Sequence, residues 1–540
     1  MSRRLLPQAM PGQGPDWAAL RAGFRWTIPP DFSIPEACCD SWARSDPERV
    51  ALIDLTAGEE RWTYGRLKAA SDGLAASMAA RGVVRGDRVG VLLPQGAMVP
   101  VAHFAAQKLG AIALPLFTLF GDDALAFRLR DAGARAVVTD VTNLDRLMAL
   151  DLPDLRVVYA TGGGPAPVLD LQEEIGRATG SFAPVPVGAE DPAVMIYTSG
   201  TTGAPKGALH AHRFLLGHLP SMELTHEGFP RPGDVGWTPA DWAWIGGLMD
   251  MAMPCLFYGV PLIAQARGKF DPEAAWALVR DRGIRSAFLP PTALKLMRAA
   301  RVPVGVRLRS VSSGGESLGG ELLDWGQSEL GCPINEIYGQ TECNLVITQA
   351  AGFMAVRPGA MGQALPGFDV AVITPDGAPV PDGEIGEIAV RRGAASMFLG
   401  YWNRPDQTAA KFAGDWLRTG DLGRRDAEGY FTYVARDDDL ITSAGYRIGP
   451  SEIEDCLMGD PDVVMAAAVG VPDPVRTEVV RAFVVLRDGA DWTPAAEARL
   501  IARVRDRVGR HLAPRSVERV HTLPMTATGK VIRRALRERG

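Results

Sequence analysis

From Trp42 to about residue 350 the chain repeats one arrangement, a helical stretch followed by a short and continuously apolar run. Residues 64–81 (YGRLKAASDGLAASMAAR) precede 88–93 (RVGVLL), 101–109 precede 111–116, and 123–132 precede 135–138. The unit returns at 272–282 with 286–289, and at 318–330 with 333–338. A strand that is apolar at every position offers no face to water, so it must lie in a sheet covered on both sides. Helices alternating with such strands predict parallel sheets under helical layers, a mixed α/β (α+β) fold.

Beyond about residue 355 the pattern changes. Short strands at 370–373, 386–390 and 429–434 are separated by Gly, Pro and Asp turns, which predicts a small antiparallel β subdomain. The polar run RDDD at 436–439 marks a boundary, and a compact α+β segment follows it. There Ser451 and Glu454 have capping-box spacing at the start of SEIEDCLM. Strands are expected at 463–471 and 479–486, and a helix at 495–512. A length of 540 residues exceeds what one core serves, so two domains are expected, 1–437 and 438–540. Residues 1–40 read as an irregular lead-in.

Charge and cysteine usage exclude several classes. A net charge of −6 provides no global attraction for nucleic acid or an anionic membrane. The longest apolar stretch, 246–264, is broken by Asp250, two prolines and internal glycines, whereas a membrane span needs ~20 apolar residues. None of the six cysteines has CxxC spacing, so no redox pair or zinc knuckle is expected and a reduced cytoplasmic setting is favoured. The N-terminal MSRRLLPQAMPGQGPDW has no apolar run long enough for a signal peptide.

The densest chemistry lies at 197–207, YTSGTTGAPKG, directly after an apolar strand. Glycines let the backbone approach an anion, and successive N–H groups can form a nest around phosphate oxygens. Hydroxyls of Thr198, Ser199, Thr201 and Thr202 add donors, and Lys206 adds a point charge. The spacing is not GxxxxGK[ST], because Pro205 stands five residues after Gly200, so a P-loop NTPase is disfavoured. By composition alone the segment is either a phosphate cradle or a plain flexible loop.

YTSGTTGAPKG resembles the phosphate-binding signature of the adenylate-forming superfamily, which includes acyl-CoA synthetases, luciferases and peptide-synthetase adenylation domains. Further matches follow in the superfamily's order over nearly the whole chain: GGES at 314–317, EIYGQTE at 336–342, RTGDLG at 418–423, YVARDDDLITSAGYRIGPSEIE at 433–454 and PMTATGKVIRR at 524–534. The resemblance is nearest to acetyl-CoA synthetase-like and medium-chain acyl-CoA synthetases, through VGWTPADWAWIGG at 235–247 and EIYGQTE. It implies an enzyme that turns a carboxylate and ATP into acyl-AMP and pyrophosphate, then passes the acyl group to coenzyme A with release of AMP.

The resemblance also assigns roles. Thr198, Ser199, Gly200, Thr201, Thr202, Gly203 and Lys206 would hold phosphates, and Gly314, Gly315 and Glu316 would line the adenine pocket. Tyr338, with Gly339, would stack on adenine, while Thr341 and Glu342 would reach phosphate and Mg²⁺. Glu342 is a hard oxygen donor suited to that ion. Asp421 would hold both ribose hydroxyls, and Arg436 and Arg447 would contact ribose and α-phosphate as permanent cations. Lys530 would be the catalytic lysine. Two anions must meet when a carboxylate attacks the α-phosphorus, and a lysine bridging them offsets the repulsion and stabilises the developing charge. Taken alone, Lys530 would be one more cation of a basic tail. Asp438 would be the hinge about which the small domain turns, bringing first Lys530 and then the CoA-binding Gly445 and Tyr446 to one pocket. Thr442 departs from the pattern, since relatives often carry Lys or Asn there, which leaves the contacts of the second step open.

Trp242, Ile245, Gly246 and Gly339 are the expected acyl-pocket lining. Strict acetate enzymes have a tryptophan at the position matched by Gly339, so the glycine favours propionate to medium-chain acids, each added buried CH₂ being worth about 0.8 kcal/mol. Acetate-specific and aryl acid–CoA ligases remain alternatives. The sequence ends ten residues after Lys530, so a freestanding enzyme using soluble CoA is expected rather than an adenylation domain feeding a carrier. A luciferase-like oxygenase and a non-catalytic nucleotide-binding protein are the other readings. Acetylation of Lys530 by a lysine acetyltransferase, reversed by a deacetylase, would remove its charge and is expected to abolish adenylation while sparing transfer from preformed acyl-AMP. The sequence leaves monomer and homo-oligomer open.

Overall fold

The computed structural model describes residues 3–6, 12, 16–177, 180–198, 204–265, 268, 270–316, 318–436, 439–443, 446–473, 476–510, 512–525 and 531–539, without the side chains of 442, 446 and 447. Among them the strands form three sheets. The first has eight strands, with a parallel centre of Ile112–Pro115, Arg88–Leu92, Ala136–Asp140 and Val157–Thr161. At one edge the antiparallel hairpin of Pro192–Thr198 and Lys206–Ala211 is extended by the short strand Gly400–Tyr401. These are the runs of continuous apolar residues, and Arg88–Leu92 is buried from Val89 onward, as a doubly covered sheet requires.

The second sheet has fourteen strands. It runs parallel from Val50–Asp54 through Leu262–Ala264, Gly236–Trp237, Ser286–Phe288 and Ser310–Gly314 to Ile334–Gln340. From there it turns antiparallel through Cys343–Thr348, Gly362–Ala364, Tyr430–Arg436, Trp416–Arg425, Gly386–Arg391 and Val370–Ile373. The antiparallel strands expected as a unit of their own are thus a continuation of the parallel sheet, joined to it by Gly362–Ala364. The third sheet comprises Tyr446–Ile448, Ile441–Ser443, Thr477–Leu486, Val463–Asp473 and Ser516–Arg519, with the helices Pro450–Met458 and Pro494–Arg507 packed on it.

Three expectations need correction. The capping box does not form. Gly449 precedes the helix Pro450–Met458 without a side-chain cap, and Pro450 has no N–H to satisfy in the first turn. Glu454 instead accepts the Ala468 N–H at 2.8 Å and pairs with Arg533 at 2.8 Å. The lead-in is not irregular throughout: Trp17–Gly23 is a helix capped by Asp16, whose Oδ1 accepts the Ala19 N–H at 2.8 Å. Farther out, the Leu5 and Leu6 N–H groups donate to the buried Glu223 carboxylate at 2.6 and 2.9 Å. The segment 318–330 is a short helix, Gly320–Trp325, followed by a π-helical turn, Gly326–Leu330.

The apolar stretch after Trp244 is broken into the helical turn Ile245–Gly247, the π-helical turn Leu248–Ala252, the helix Met253–Tyr258 and the strand Leu262–Ala264. No helix among the described residues is long and apolar enough to cross a membrane.

Candidate active site

Thr198 and Lys206 face each other at the loop end of the Pro192–Thr198/Lys206–Ala211 hairpin. Residues 199–203, and with them Ser199, Gly200, Thr201, Thr202 and Gly203, lie outside the described residues. The Lys206 strand is locked to the Tyr401 strand by the pair Tyr401–Ala208 and by the Trp402 N–H donating to Gly207 O at 2.8 Å. Across that junction the Lys206 ammonium sits 4.7 Å from the centre of the Tyr401 ring. The Tyr401 hydroxyl donates to Glu342 Oε1, and burial together with that carboxylate raises the Tyr401 pKa. Glu342 is itself buried, and its carbonyl accepts the Phe398 N–H at 2.8 Å. One carboxylate and one cation therefore meet at a single aromatic ring, the carboxylate at its hydroxyl and the cation over its face, beside the loop end of the hairpin.

A second cluster adjoins the first. Tyr338, near the end of the strand Ile334–Gln340, donates its hydroxyl to Asp421 Oδ2 at 2.7 Å, and burial with that neighbouring charge raises its pKa. Arg436 lies 3.4 Å from Asp421 Oδ1, and the two residues are opposite each other in the ladder between Trp416–Arg425 and Tyr430–Arg436. The RTGD turn is fixed from several sides. Thr419 Oγ1 donates to Ile388 O at 2.6 Å and accepts the Asp421 N–H at 3.1 Å, and the Gly420 N–H donates to Glu387 at 2.7 Å. Thr419 O accepts both Gln340 Nε2 at 3.2 Å and Lys411 Nζ at 3.4 Å. Lys411 is half-buried; desolvation lowers its pKa, opposed by Glu342.

Two glycine sites are dictated by close approach. A Cβ on Gly314 would come within 2.2 Å of Ile337 O, so the end of the Ser310–Gly314 strand runs flush against the next; Gly315 follows with φ +101°, and Glu316 is half-buried beside it. A Cβ on Gly339 would meet Leu345 N at 2.4 Å and Asn344 Oδ1 at 2.8 Å. The space that a missing side chain leaves at Gly339 is therefore taken up by the strand Cys343–Thr348, and it does not itself widen an acyl pocket. Trp242 is fully enclosed in the core, whereas Trp244 packs on Phe117 and Phe120 with ring centres 5.6 Å apart. A Cβ on Gly246 would touch the Phe288 ring at 2.9 Å, and Ile245 is packed against the same core.

The structure thus joins Lys206 and Glu342 through Tyr401, and Asp421 with Tyr338 and Arg436; Thr198 pairs with Lys206, and Gly339 and Thr341 lie between Tyr338 and Glu342 in the chain. Asp438, Gly445 and Lys530 lie outside the described residues, and Tyr446 and Arg447 are described only in their backbone pairing with Ile441–Ser443. Sequence reasoning overlooked Tyr401 and Lys411, which stand beside Glu342 and Thr419. Both fall between recognised motifs, and the polar-aromatic and cationic positions in GYWNRPDQTAAKF carry no periodic or spacing signal of their own. Among the described residues no group of three or more His, Cys, Asp or Glu side chains is placed to hold a metal ion. Glu342 fits an ion held chiefly by a substrate's phosphate oxygens, which is the usual manner of Mg²⁺.

Comparison with known proteins gives the arrangement a family context. Residues 39–402 match the family model described as AMP-binding enzyme, and residues 452–530 match AMP-binding enzyme C-terminal domain. The chain is 32% identical to the mitochondrial acyl-coenzyme A synthetase ACSM2 of Rattus norvegicus, over 94% of this chain and 92% of that one. It is 30% identical to the acetyl-coenzyme A synthetase of Bacillus subtilis, over 97% and 93%. Among solved structures, an acyl-CoA synthetase of Brucella canis superposes with a TM-score of 0.73 at 34% identity, covering 96% of each chain.

Proposed function

The chain belongs to the AMP-binding enzyme family, and from that membership we propose that it is an ATP-dependent acid–CoA ligase acting on a short- to medium-chain carboxylic acid. The observation that carries this reading is the junction of the two clusters. Lys206 and Glu342 flank Tyr401 at the hairpin end, a setting for a triphosphate, and Asp421 with Tyr338 and Arg436 adjoins it, a setting for a nucleoside.

In the proposed first step a carboxylate oxygen attacks the α-phosphorus and the bond to the β-phosphate oxygen breaks, giving acyl-AMP and pyrophosphate. Lys206 and the Ser/Thr hydroxyls of 198–202 hold the leaving phosphates, and Arg436 with Lys530 offsets charge at the α-phosphoryl oxygens. Tyr338 lies against adenine with its hydroxyl tied to Asp421, so the ring's orientation and the ribose acceptor are set together. Glu342 is the residue that would hold Mg²⁺, which when bound neutralises phosphate charge. In the second step the CoA sulfur attacks the acyl carbonyl, its proton goes to solvent, and AMP leaves with the electron pair of the broken C–O bond. Gly445 and Tyr446 are the proposed CoA contacts, reached by rotation about Asp438.

The aromatic surroundings of Gly246, with Phe288 and the Trp244–Phe117–Phe120 group near it, favour an aryl acid as the second reading. The test is AMP formation from ATP, Mg²⁺ and CoA across acids from acetate to octanoate and benzoate. Turnover peaking beyond acetate supports the first reading, and turnover peaking on benzoate the second. Absence of AMP with every acid, under conditions where pyrophosphate exchange still occurs, shows that CoA is not the acceptor.

A further inference from the structure

Asp250 is a carboxyl group placed where an apolar lining was expected. It is 4% exposed and sits in the middle of the π-helical turn Leu248–Ala252. π-Turns inside helices are rare and concentrate at functional sites. Its Oδ1 accepts Asn344 Nδ2 at 2.7 Å, and among the described residues Asn344 is its one hydrogen-bond partner. The pair lies between the two glycines of the expected acyl lining. A Cβ on Gly246 would be 3.8 Å from Asp250 Oδ2, and a Cβ on Gly339 would be 2.8 Å from Asn344 Oδ1. Leu345, next to Asn344, holds φ +51°, a left-handed conformation that is costly for a leucine and persists only where its surroundings impose it.

A buried carboxyl with one neutral partner loses several kcal/mol of hydration that a single hydrogen bond does not restore. Burial pushes the Asp250 carboxyl well above the usual range, with the Asn344 amide opposing it. If the pair only stapled the π-turn to the strand Cys343–Thr348, two apolar side chains would serve at lower cost. Oδ2 lies on the side of Gly246, where a hydrogen-bonding group of a substrate can supply the missing partner.

We propose that Asp250, oriented by Asn344, determines substrate specificity, and that the acid activated here carries a hydroxyl or amino group on its carbon skeleton that hydrogen-bonds to the Asp250 carboxyl. This rests on the acid–CoA ligase reading above. A pocket built to bind such a group rejects the analogue that lacks it far more strongly than an apolar pocket rejects a missing methylene.

The experiment measures kcat/KM for AMP release by the full-length enzyme with matched acids. Pentanoate, hexanoate and benzoate are each compared with their hydroxy and amino derivatives at every position. Wild type is expected to prefer at least one substituted acid over its parent by about tenfold or more. Asp250→Ala is expected to remove that preference while leaving the parent acid's kcat/KM within a few-fold; Asp250→Asn, which keeps the shape, serves if the alanine variant does not fold. Hydroxyl and amino arms identify the group. The proposal is overturned if every parent acid matches or outperforms its derivatives in wild type, or if both Asp250 variants lower parent and derivative by the same factor. Failure of every acid to give AMP would overturn the ligase reading itself, a result distinguishable from either of these.

Discussion

At the scale of single residues, the site is a set of side chains each held by another. Glu342 is aimed by Tyr401, Tyr338 by Asp421, and the Thr419 carbonyl gathers Gln340 and Lys411. Lys411 is the member whose purpose the motifs do not disclose. Its ammonium gives up hydration to sit near Glu342 and Asp421, which is worthwhile if it meets a phosphate. We expect Lys411→Met, which keeps the length of the side chain, to lower pyrophosphate exchange by about 10²-fold, with Lys411→Arg recovering part of the loss. An unchanged exchange rate would assign Lys411 to the support of the RTGD turn alone. The contrast with Lys206 shows what was legible. A lysine inside a run of Gly, Ser and Thr announces an anion, whereas Lys411 and Asp250 acquire meaning only from neighbours distant in the chain.

At the scale of elements, the helix–strand alternation gave strand positions to within a residue or two, because continuously apolar runs have few other places to go. Ala136–Asp140 and Ser286–Phe288 lie where 135–138 and 286–289 were expected. Caps were harder to read: Ser451 and Glu454 have the right spacing, yet Pro450 opens the helix and the carboxylate is drawn to Ala468 and Arg533. The strand Ile334–Gln340 carries a further cost. Burial and the charge of nearby Asp455 push the Glu336 carboxyl up from 4.5 to about 8, against a hydrogen bond from the Leu318 backbone. Below about pH 4.5 Glu336 is protonated in the folded and unfolded chain alike. Between there and about pH 8 only the unfolded chain has released the proton, so stability falls as pH rises through this window. Glu336→Gln should therefore leave the melting temperature unchanged near pH 4 and raise it by about 2–4 °C at pH 8. A gain of equal size at both pH values would point to packing instead of charge.

At the scale of the whole molecule, two half-reactions are expected to share one pocket, with Lys530 serving the first alone. Lys530→Ala should reduce pyrophosphate exchange by about 10²–10³-fold while thioester formation from added acyl-AMP proceeds at close to the wild-type rate. Equal losses in both steps would mean that the lysine serves binding in general. The sheets also set an order of assembly. Leu52 pairs with Leu262, and Ala208 waits for Tyr401, so both large sheets are closed by strands made long after their partners. During synthesis the hairpin that carries Lys206 leaves the ribosome with a bare edge, and neither Tyr401 nor Asp421 yet exists to complete the site. A nascent chain of this design cannot bring Asp421 beside Tyr338 until its last quarter is translated, and until Gly400–Tyr401 is made the Lys206–Ala211 strand has an unpaired edge, a feature that invites wrong pairing.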